Sequence, residues 1–429
     1  MSGGHSMSGG HSVSEETADL APVAAGVRGQ VTALAGDLVA MSHAIYDQPE
    51  LRFEEHHAAE RLQHFLAGEG FAVRSGLAGM PTAFRAERPF GPDRTGGPGA
   101  PVIAVFCEFD ALPGLGHACG HNIIATAGAG GAAAAARWLA GPAPDAQGPG
   151  GQRPAGTLVV LGSPGEEGGG GKVRLGEAGE LAGIDAAIMV HPAGFDSVAR
   201  TNLGRISLRA TFTGHASHAA AAPERGRNAL DAATLLLVAI GLLRQQVRAD
   251  SRIHAKVAEG GDSINVIPER SVVELFIRSP DSGYLRGRLL DAIRDCVAGS
   301  ALATGTTWEL AEPAPAYDPV RPNQVLAELA AVAFAQVGRD VDPAAVAGNA
   351  GSTDMGNVSQ LMPALHPYLQ VDPGLAIHTR EFATAARGAA GDRAVLDGAT
   401  LLGVMASALL TRPALVTAAR AAFDARDQS

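Results

Sequence analysis

Three uninterrupted apolar runs, "VIAVFCEFD" (102–110), "TLVVLGSP" (157–164) and "DAAIMVH" (185–191), constrain the fold more than any other feature of the chain. A run without polar alternation suits a strand covered on both faces, as in a parallel sheet between helical layers. Helical stretches lie before and between them: the apolar spacing from Val23 to Tyr46, "EEHHAAERLQHFLAGEGF", and the very small residues from Asn122 to Ala140, which can pack closely on a sheet. Strands alternating with helices predict an α/β fold with a mixed, mostly parallel sheet.

The pattern changes near Arg205. "ISLRATFTG" alternates like a strand with one open face, and "NALDAATLLLVAIGLLRQQV" reads as a long amphipathic helix. The strand "SVVELFIRS", the helix "YLRGRLLDAIRDCVAGSAL" and the strand "TTWELAE" follow. A β-α-β-β-α-β order predicts a small ferredoxin-like α+β domain inserted in the larger one. At 429 residues the chain exceeds one ordinary core. The expected division is a disordered polar tail over 1–20, a larger domain over 21–204 and 315–429, and the insert over 205–314.

A net charge of -11 argues against nucleic acid and anionic membranes, which need basic footprints. Three scattered cysteines (Cys107, Cys119, Cys296) make no disulfide framework, and the N-terminal stretch has no apolar signal core. The small-residue run after Asn122 is cut by Pro142, so no bilayer span is expected. A cytoplasmic location is the expectation.

Cys119 and His121, in "GHACGHN", are separated by one glycine at a strand-to-helix junction, where α/β folds place their sites. Cys119 alone reads either as a small core residue or as a metal thiolate, and its polar, glycine-bracketed setting favours the thiolate. "GSPGEEGGGGK" follows the next strand, and glycines there let backbone approach an ion or substrate closely. Its adjacent Glu166 and Glu167 suit a division of labour between proton transfer and metal ligation, although an acidic loop tip fits the same residues. His191 closes the third run and His378 lies in "PGLAIHTREF". Each alone reads as a core histidine, but successive strands delivering ligand-type residues at one end favour a metal centre.

Six blocks in order, "PELRFEE", "EFDALPGLGHACGHN", "GSPGEEGGGGK", "FTGHASHAAAAPERGRNALDA", "INVIPERSVVELFIRS" and "GSTDMGNVSQLMPALHPY", carry a family resemblance over roughly 50–370. The chain resembles the dinuclear metallo-amidohydrolases of the aminoacylase and carboxypeptidase G type. The branch it resembles holds aminobenzoyl-glutamate hydrolases, amidohydrolases of amino-acid conjugates and β-alanyl-lysine-type dipeptidases. The resemblance implies that Cys119 bridges two metals, His121 and His191 holding one and Glu167 and His378 the other. Glu166 would be the general base acting on a water between the metals, and Asp110 would orient a ligand by a hydrogen bond. Glu108 stands where the aspartate-bridged branch has a histidine, which agrees with His121 taking over that role.

The resemblance makes the insert over 205–314 a lid and dimerisation domain, in which His218 matches the histidine that reaches a neighbouring subunit's site and polarises the scissile carbonyl. Asn265 and Arg278 match positions that grip substrate, Arg278 through its planar fork. Gly351 and Ser352 match a loop beside the substrate, and His117, His215 and His366 receive no role. The implied activity is metal-dependent hydrolysis of an amide in an N-acyl amino acid, an amino-acid conjugate or a dipeptide. The implied assembly is a homodimer through 205–314. Thiolate, imidazole and carboxylate together favour zinc, with manganese or cobalt as further options. Two rival readings stand beside it: a dipeptidase for Xaa-basic or β-alanyl dipeptides, and a non-catalytic metal- or ligand-binding relative.

Overall fold

The computed structural model describes residues 20–91, 100–141, 154–342, 344 and 346–425. Of the tail expected over 1–20, only Leu20 falls within the described residues, and it is buried at the start of the first helix. Six strands form the larger sheet in the order Ala72–Ser75, Phe84–Phe90, Gly156–Gly162, Val102–Cys107, Ala186–Ile188 and Ala364–Leu365. The first two neighbour pairs in that order are antiparallel and the remaining three parallel. The central strands are buried along nearly their whole length, as uninterrupted apolar runs require.

One face of this sheet is covered by three long helices, Ala21–Asp47, His121–Ala140 and Ala389–Thr411, which share a core with Leu34, Leu38, Trp138 and Leu402. The helix His121–Ala140 is made of alanines and glycines because the partner approaches at backbone distance. A Cβ on Gly131 would lie 2.8 Å from the Ala399 carbonyl oxygen. This helix and Ala389–Thr411 are long and apolar enough to cross a membrane, but 89% of each apolar window is buried inside the fold.

The second sheet has four antiparallel strands in the order Thr307–Ala311, Gly204–Thr213, Arg270–Ser279 and Arg252–Glu259. The helices Ala229–Leu243 and Leu290–Thr304 pack on one face around Phe212, Leu236, Ile277 and Ile293, a core separate from the first. Asn228 starts the first helix by accepting a hydrogen bond from the Leu230 amide. Gly305, in the left-handed region at φ 65°, ends the second. The sequence order is therefore β-α-β-β-α-β, with its second strand at Arg252–Glu259.

One expectation needs correction. The run 185–191 is not a single strand ending at His191: the sheet strand stops at Ile188, and His191–Ala193 forms a separate short strand paired with Tyr368–Gln370. Pairing with the segment 364–370 keeps the same offset on both sides of the break, the His191 amide donating to the Pro367 carbonyl; what ends at Ile188 is the pairing with the strand Val102–Cys107. His191 thus stands past the carboxyl end of the sheet strand, buried.

Candidate metal centre

The turn after the strand Val102–Cys107 brings Cys119 and His121 to the carboxyl end of the sheet. Gly120 between them has φ 78°, and a Cβ there would lie 2.5 Å from the Pro192 ring, so only glycine lets this turn close on the His191 strand. Cys119 Sγ consequently lies 3.5 Å from His191 Nε2. His191 donates its Nδ1 proton to the Pro192 carbonyl at 2.8 Å, which leaves Nε2 aimed at the sulfur. His378 reaches the same sulfur from the other side, Nε2 standing 3.3 Å from Cys119 Sγ and 3.4 Å from Glu167 Oε1. Its backbone sits at φ 65°, a conformation disfavoured outside glycine, with its amide donating a hydrogen bond to the Ala118 carbonyl at 2.8 Å.

Two ligand sets share Cys119. Potential ligand atoms of Cys119, His121 and His191 lie within 4.8 Å of one another, and so do those of Cys119, Glu167 and His378. All five residues singled out as ligands therefore meet, although they span 119 to 378. His121 Nε2 and Glu167 Oε1 are buried and make no hydrogen bond, their charged neighbours being Glu108 at 3.6 Å and His378 at 3.4 Å. Orphaned donors and acceptors at that depth are costly unless another group completes them. Burial pushes the Cys119 thiol far up, so the thiolate needs a neighbouring cation. Burial holds His191 down at about 4, in the neutral form that ligates metal. Burial works against charge on His121, but Cys119 and Asp110 outweigh it and draw positive charge there. This donor set fits a pair of divalent cations.

The acidic loop is held from three sides. Asp110 Oδ1 lies 3.0 Å from His121 Nδ1, and its Oδ2 accepts the Glu167 amide at 2.9 Å. One carboxylate thus orients an imidazole and fixes the neighbouring loop. Glu55 accepts the Gly165 amide at 2.9 Å and the Thr82 hydroxyl at 3.0 Å. The Tyr317 hydroxyl donates to the Glu166 carbonyl at 2.7 Å. Glu166 itself is 8% exposed, and its carboxylate lies within 4.8 Å of ligand atoms of His121 and Glu167. Burial, then the charges of Glu108 and Glu167, raise its proton affinity well above that of an ordinary glutamate.

Behind Glu166 lies a cluster that the motifs do not reveal. Lys172, fully buried, bonds Glu108 and, at 2.6 Å, Asp354 Oδ1, while its amide donates to Asp354 Oδ2 at 3.0 Å. Burial opposes its charge, but Asp354 and Glu108 hold the ammonium protonated. The lysine closing "GEEGGGGK" and the aspartate of "STDMG" are visible signals, but their pairing across 182 residues is not. His366 is buried against the His191 and Tyr368 rings, with both ring nitrogens lacking a hydrogen-bond partner. His117 is a packed residue bonded to the Ile45 carbonyl, and burial holds it down at about 4.

Burial first, and Asp110 second, push Glu55 up to about 7. An acid that binds its proton more tightly when folded favours the fold at low pH, and that advantage is lost as pH rises from its unfolded value of 4.5 through about 7. The shift corresponds to about 3 kcal/mol. Glu55→Gln keeps an acceptor for Gly165 and cannot ionise. Urea titrations at pH 5 and pH 8 are expected to show the wild type losing roughly that much more stability than the variant. Equal slopes in the two proteins would remove this assignment.

The lid residues lie elsewhere. Among the described residues, no hydrogen bond or ion pair joins His218, Asn265 or Arg278 to the five-residue cluster. His218 Nδ1 accepts the Ala220 and Ala221 amides at 3.2 and 3.1 Å, so its proton sits on Nε2, free to be donated. The Asn265 carbonyl accepts the Ala219 amide at 3.0 Å, which places it beside His218. Arg278 pairs across the sheet with Arg205 and Arg252, and its buried Nε has no acceptor. Gly351 accepts the Leu203 amide at 3.2 Å near the crossing into the second unit, and Ser352 Oγ is buried without a partner.

Residues 200–303 match the family model described as a peptidase dimerisation domain. The chain is 37% identical over 401 residues to a mouse Xaa-Arg dipeptidase, covering 91% of this chain and 90% of the relative. It is 36% identical over 284 residues to one of the p-aminobenzoyl-glutamate hydrolase polypeptides of Escherichia coli, covering 62% of this chain and 55% of that protein. A solved Bacillus subtilis structure, described as a dinuclear metal binding peptidase from the M20 family, shares the fold. Its TM-score is 0.59 at 20% identity, over 86% of this chain and 98% of that one.

Proposed function

The chain belongs to the M20 peptidase family and is a metal-dependent amide hydrolase, and from that premise we propose that it cleaves dipeptides with a basic C-terminal residue. The same site would admit N-acyl amino acids and amino-acid conjugates of similar shape. The observation that carries the reading is the meeting of Cys119, His121, Glu167, His191 and His378 beside a buried Glu166. The basic C-terminal preference is supported by the mouse relative, which matches along nine-tenths of this chain.

Two divalent ions held by these five residues, with Cys119 shared, would supply Lewis acidity to a water and to the scissile carbonyl. Zinc suits the mixture of thiolate, imidazole and carboxylate, and manganese or cobalt would suit the oxygen-richer set. Glu166 accepts the proton of the attacking water and returns it to the departing amine. Its raised proton affinity, set by burial and the charges of Glu108 and Glu167, suits a group that must take up a proton. Asp110 keeps His121 and Glu167 in place during the exchange. His218, donating from Nε2, polarises the carbonyl in the active site of a partner subunit. Arg278 and Asn265 hold the substrate's carboxylate and carbonyl, and Gly351 and Ser352 line the approach. The protein works as a homodimer through the four-stranded unit, in the cytoplasm.

The test is a substrate panel on the purified protein with metal analysis alongside. Xaa-Arg, Xaa-Lys and β-alanyl-Lys dipeptides are compared with acyl-amino acids and aminobenzoyl-glutamate. Turnover is expected to be highest on the basic dipeptides, to vanish on chelation and to return with added zinc or manganese. Turnover insensitive to chelation, or a protein retaining no divalent ion, would sink the proposal. Preference for acyl-amino acids would move the substrate and leave the chemistry.

A further inference from the structure

The chain crosses from the six-stranded unit to the four-stranded one at Arg205 and returns at Tyr317. These two residues face each other, exchanging backbone hydrogen bonds of 2.8 and 2.9 Å, so the connections form one paired hinge. Tyr317 is 1% exposed, with the Arg205 guanidinium 4.2 Å above its ring. Its edge presses on the acidic loop, since a Cβ at Gly170 would lie 3.2 Å from Tyr317 Cε1 and 3.1 Å from Pro315. The next residue, Asp318, accepts bonds from Ser282 at 2.8 Å and Arg286 at 3.0 Å on one side and from Asn357 at 3.1 Å on the other. The hinge is thus fastened to both units, and its one hydroxyl reaches the Glu166 carbonyl at 2.7 Å, across 151 residues.

We infer that Tyr317 is a positioning residue for Glu166, coupling the orientation of the lid to that of the proton acceptor through a single O–H···O bond. The Glu166 carbonyl belongs to the peptide plane between Glu166 and Glu167, so its direction governs both side chains. Rotation of one unit against the other pivots at the Arg205–Tyr317 pair and is passed to that plane. Packing alone would be served equally well by phenylalanine; the hydroxyl adds direction. This inference rests on the reading of Glu166 as the proton acceptor.

The test is Tyr317→Phe in the full chain, which keeps the ring against Gly170. Hydrogen–deuterium exchange in residues 163–172 is expected to quicken at least roughly fivefold, since the loop loses one tether, with the strand 102–107 unchanged. On the best dipeptide, kcat is expected to fall about 10- to 100-fold with KM within about twofold, the pattern of a misplaced reacting group. Metal content should match the wild type. A second variant, Arg205→Met, leaves the hydroxyl in place and is expected to hold kcat within roughly threefold, which separates this bond from general loosening of the hinge.

Unchanged loop exchange, unchanged kcat, or equal losses in the two variants would overturn the inference. If Tyr317→Phe does not fold, a loop exchange in Arg205→Met as fast as in a Glu166→Ala control would overturn it, and a protected loop would support it. A wild type with no amide hydrolysis at all would defeat the proposed function instead. Exchange would then decide the tether alone, faster exchange in Tyr317→Phe supporting it and unchanged exchange overturning it.

Discussion

Glu166→Gln is expected to fold, to keep its metal complement and to lose at least about 10²- to 10⁴-fold in kcat, the range that positioned proton transfer contributes. Glutamine is nearly the same size and can still accept a hydrogen bond, but it takes no proton from an attacking water. The surroundings make the loss hard to compensate. The neighbouring acids are committed: Glu108 and Asp354 to Lys172, and Glu167 to the ligand set facing His378. Because the interaction is made in the transition state and not in substrate binding, KM should stay nearly constant while kcat and kcat/KM fall together. Steady-state kinetics with parallel metal analysis read this directly. A variant within tenfold of wild type would move the proton-accepting role to another residue.

Lys172→Met is expected to be the most destabilising single change in the core of the site. Lys172 faces Glu108 and Asp354 with Glu166 just beyond, all of them buried. Removing one partner of a buried pair leaves the other charges uncompensated and costs about 3–5 kcal/mol. Burial already raises the proton affinity of Asp354, and in the variant only the backbone amide of residue 172 still opposes it. The abandoned acids would fold most readily when protonated, so the deficit should shrink as pH falls toward 5 and grow toward 8. Urea unfolding of wild type and variant at the two pH values measures it. A deficit independent of pH would point to lost packing and not to stranded charge.

The difference between these two residues shows which parts of the molecule are legible in the sequence. Glu166, Cys119 and His121 stand in short glycine-flanked motifs at the ends of apolar runs, where local residue type already indicates chemistry. The long helices are equally readable, because their periodicity is local, and so is the insert apart from its mostly exposed strand Arg252–Glu259, which no apolar run marks. Lys172, Asp354 and Tyr317 acquire their roles from pairings 151 and 182 residues apart, which no local window contains. The strand through His191 departs from expectation for a related reason: apolarity continues past Ile188, but the pairing with Val102–Cys107 stops there, and only the segment through Tyr368, from the far end of the chain, accompanies it further. The lid residues are readable as a motif, but their distance from the cluster within one chain follows only from the fold.

The helix that begins at His121 meets its neighbours backbone to backbone, with no slack for even a methyl group at Gly131. Such a chassis has almost no neutral variation to explore, so a lineage retooling this enzyme for another amide would have to leave it alone. Novelty would accumulate instead in the loops around His218 and Asn265, where most side chains stand exposed. Directed evolution toward new substrates should begin there.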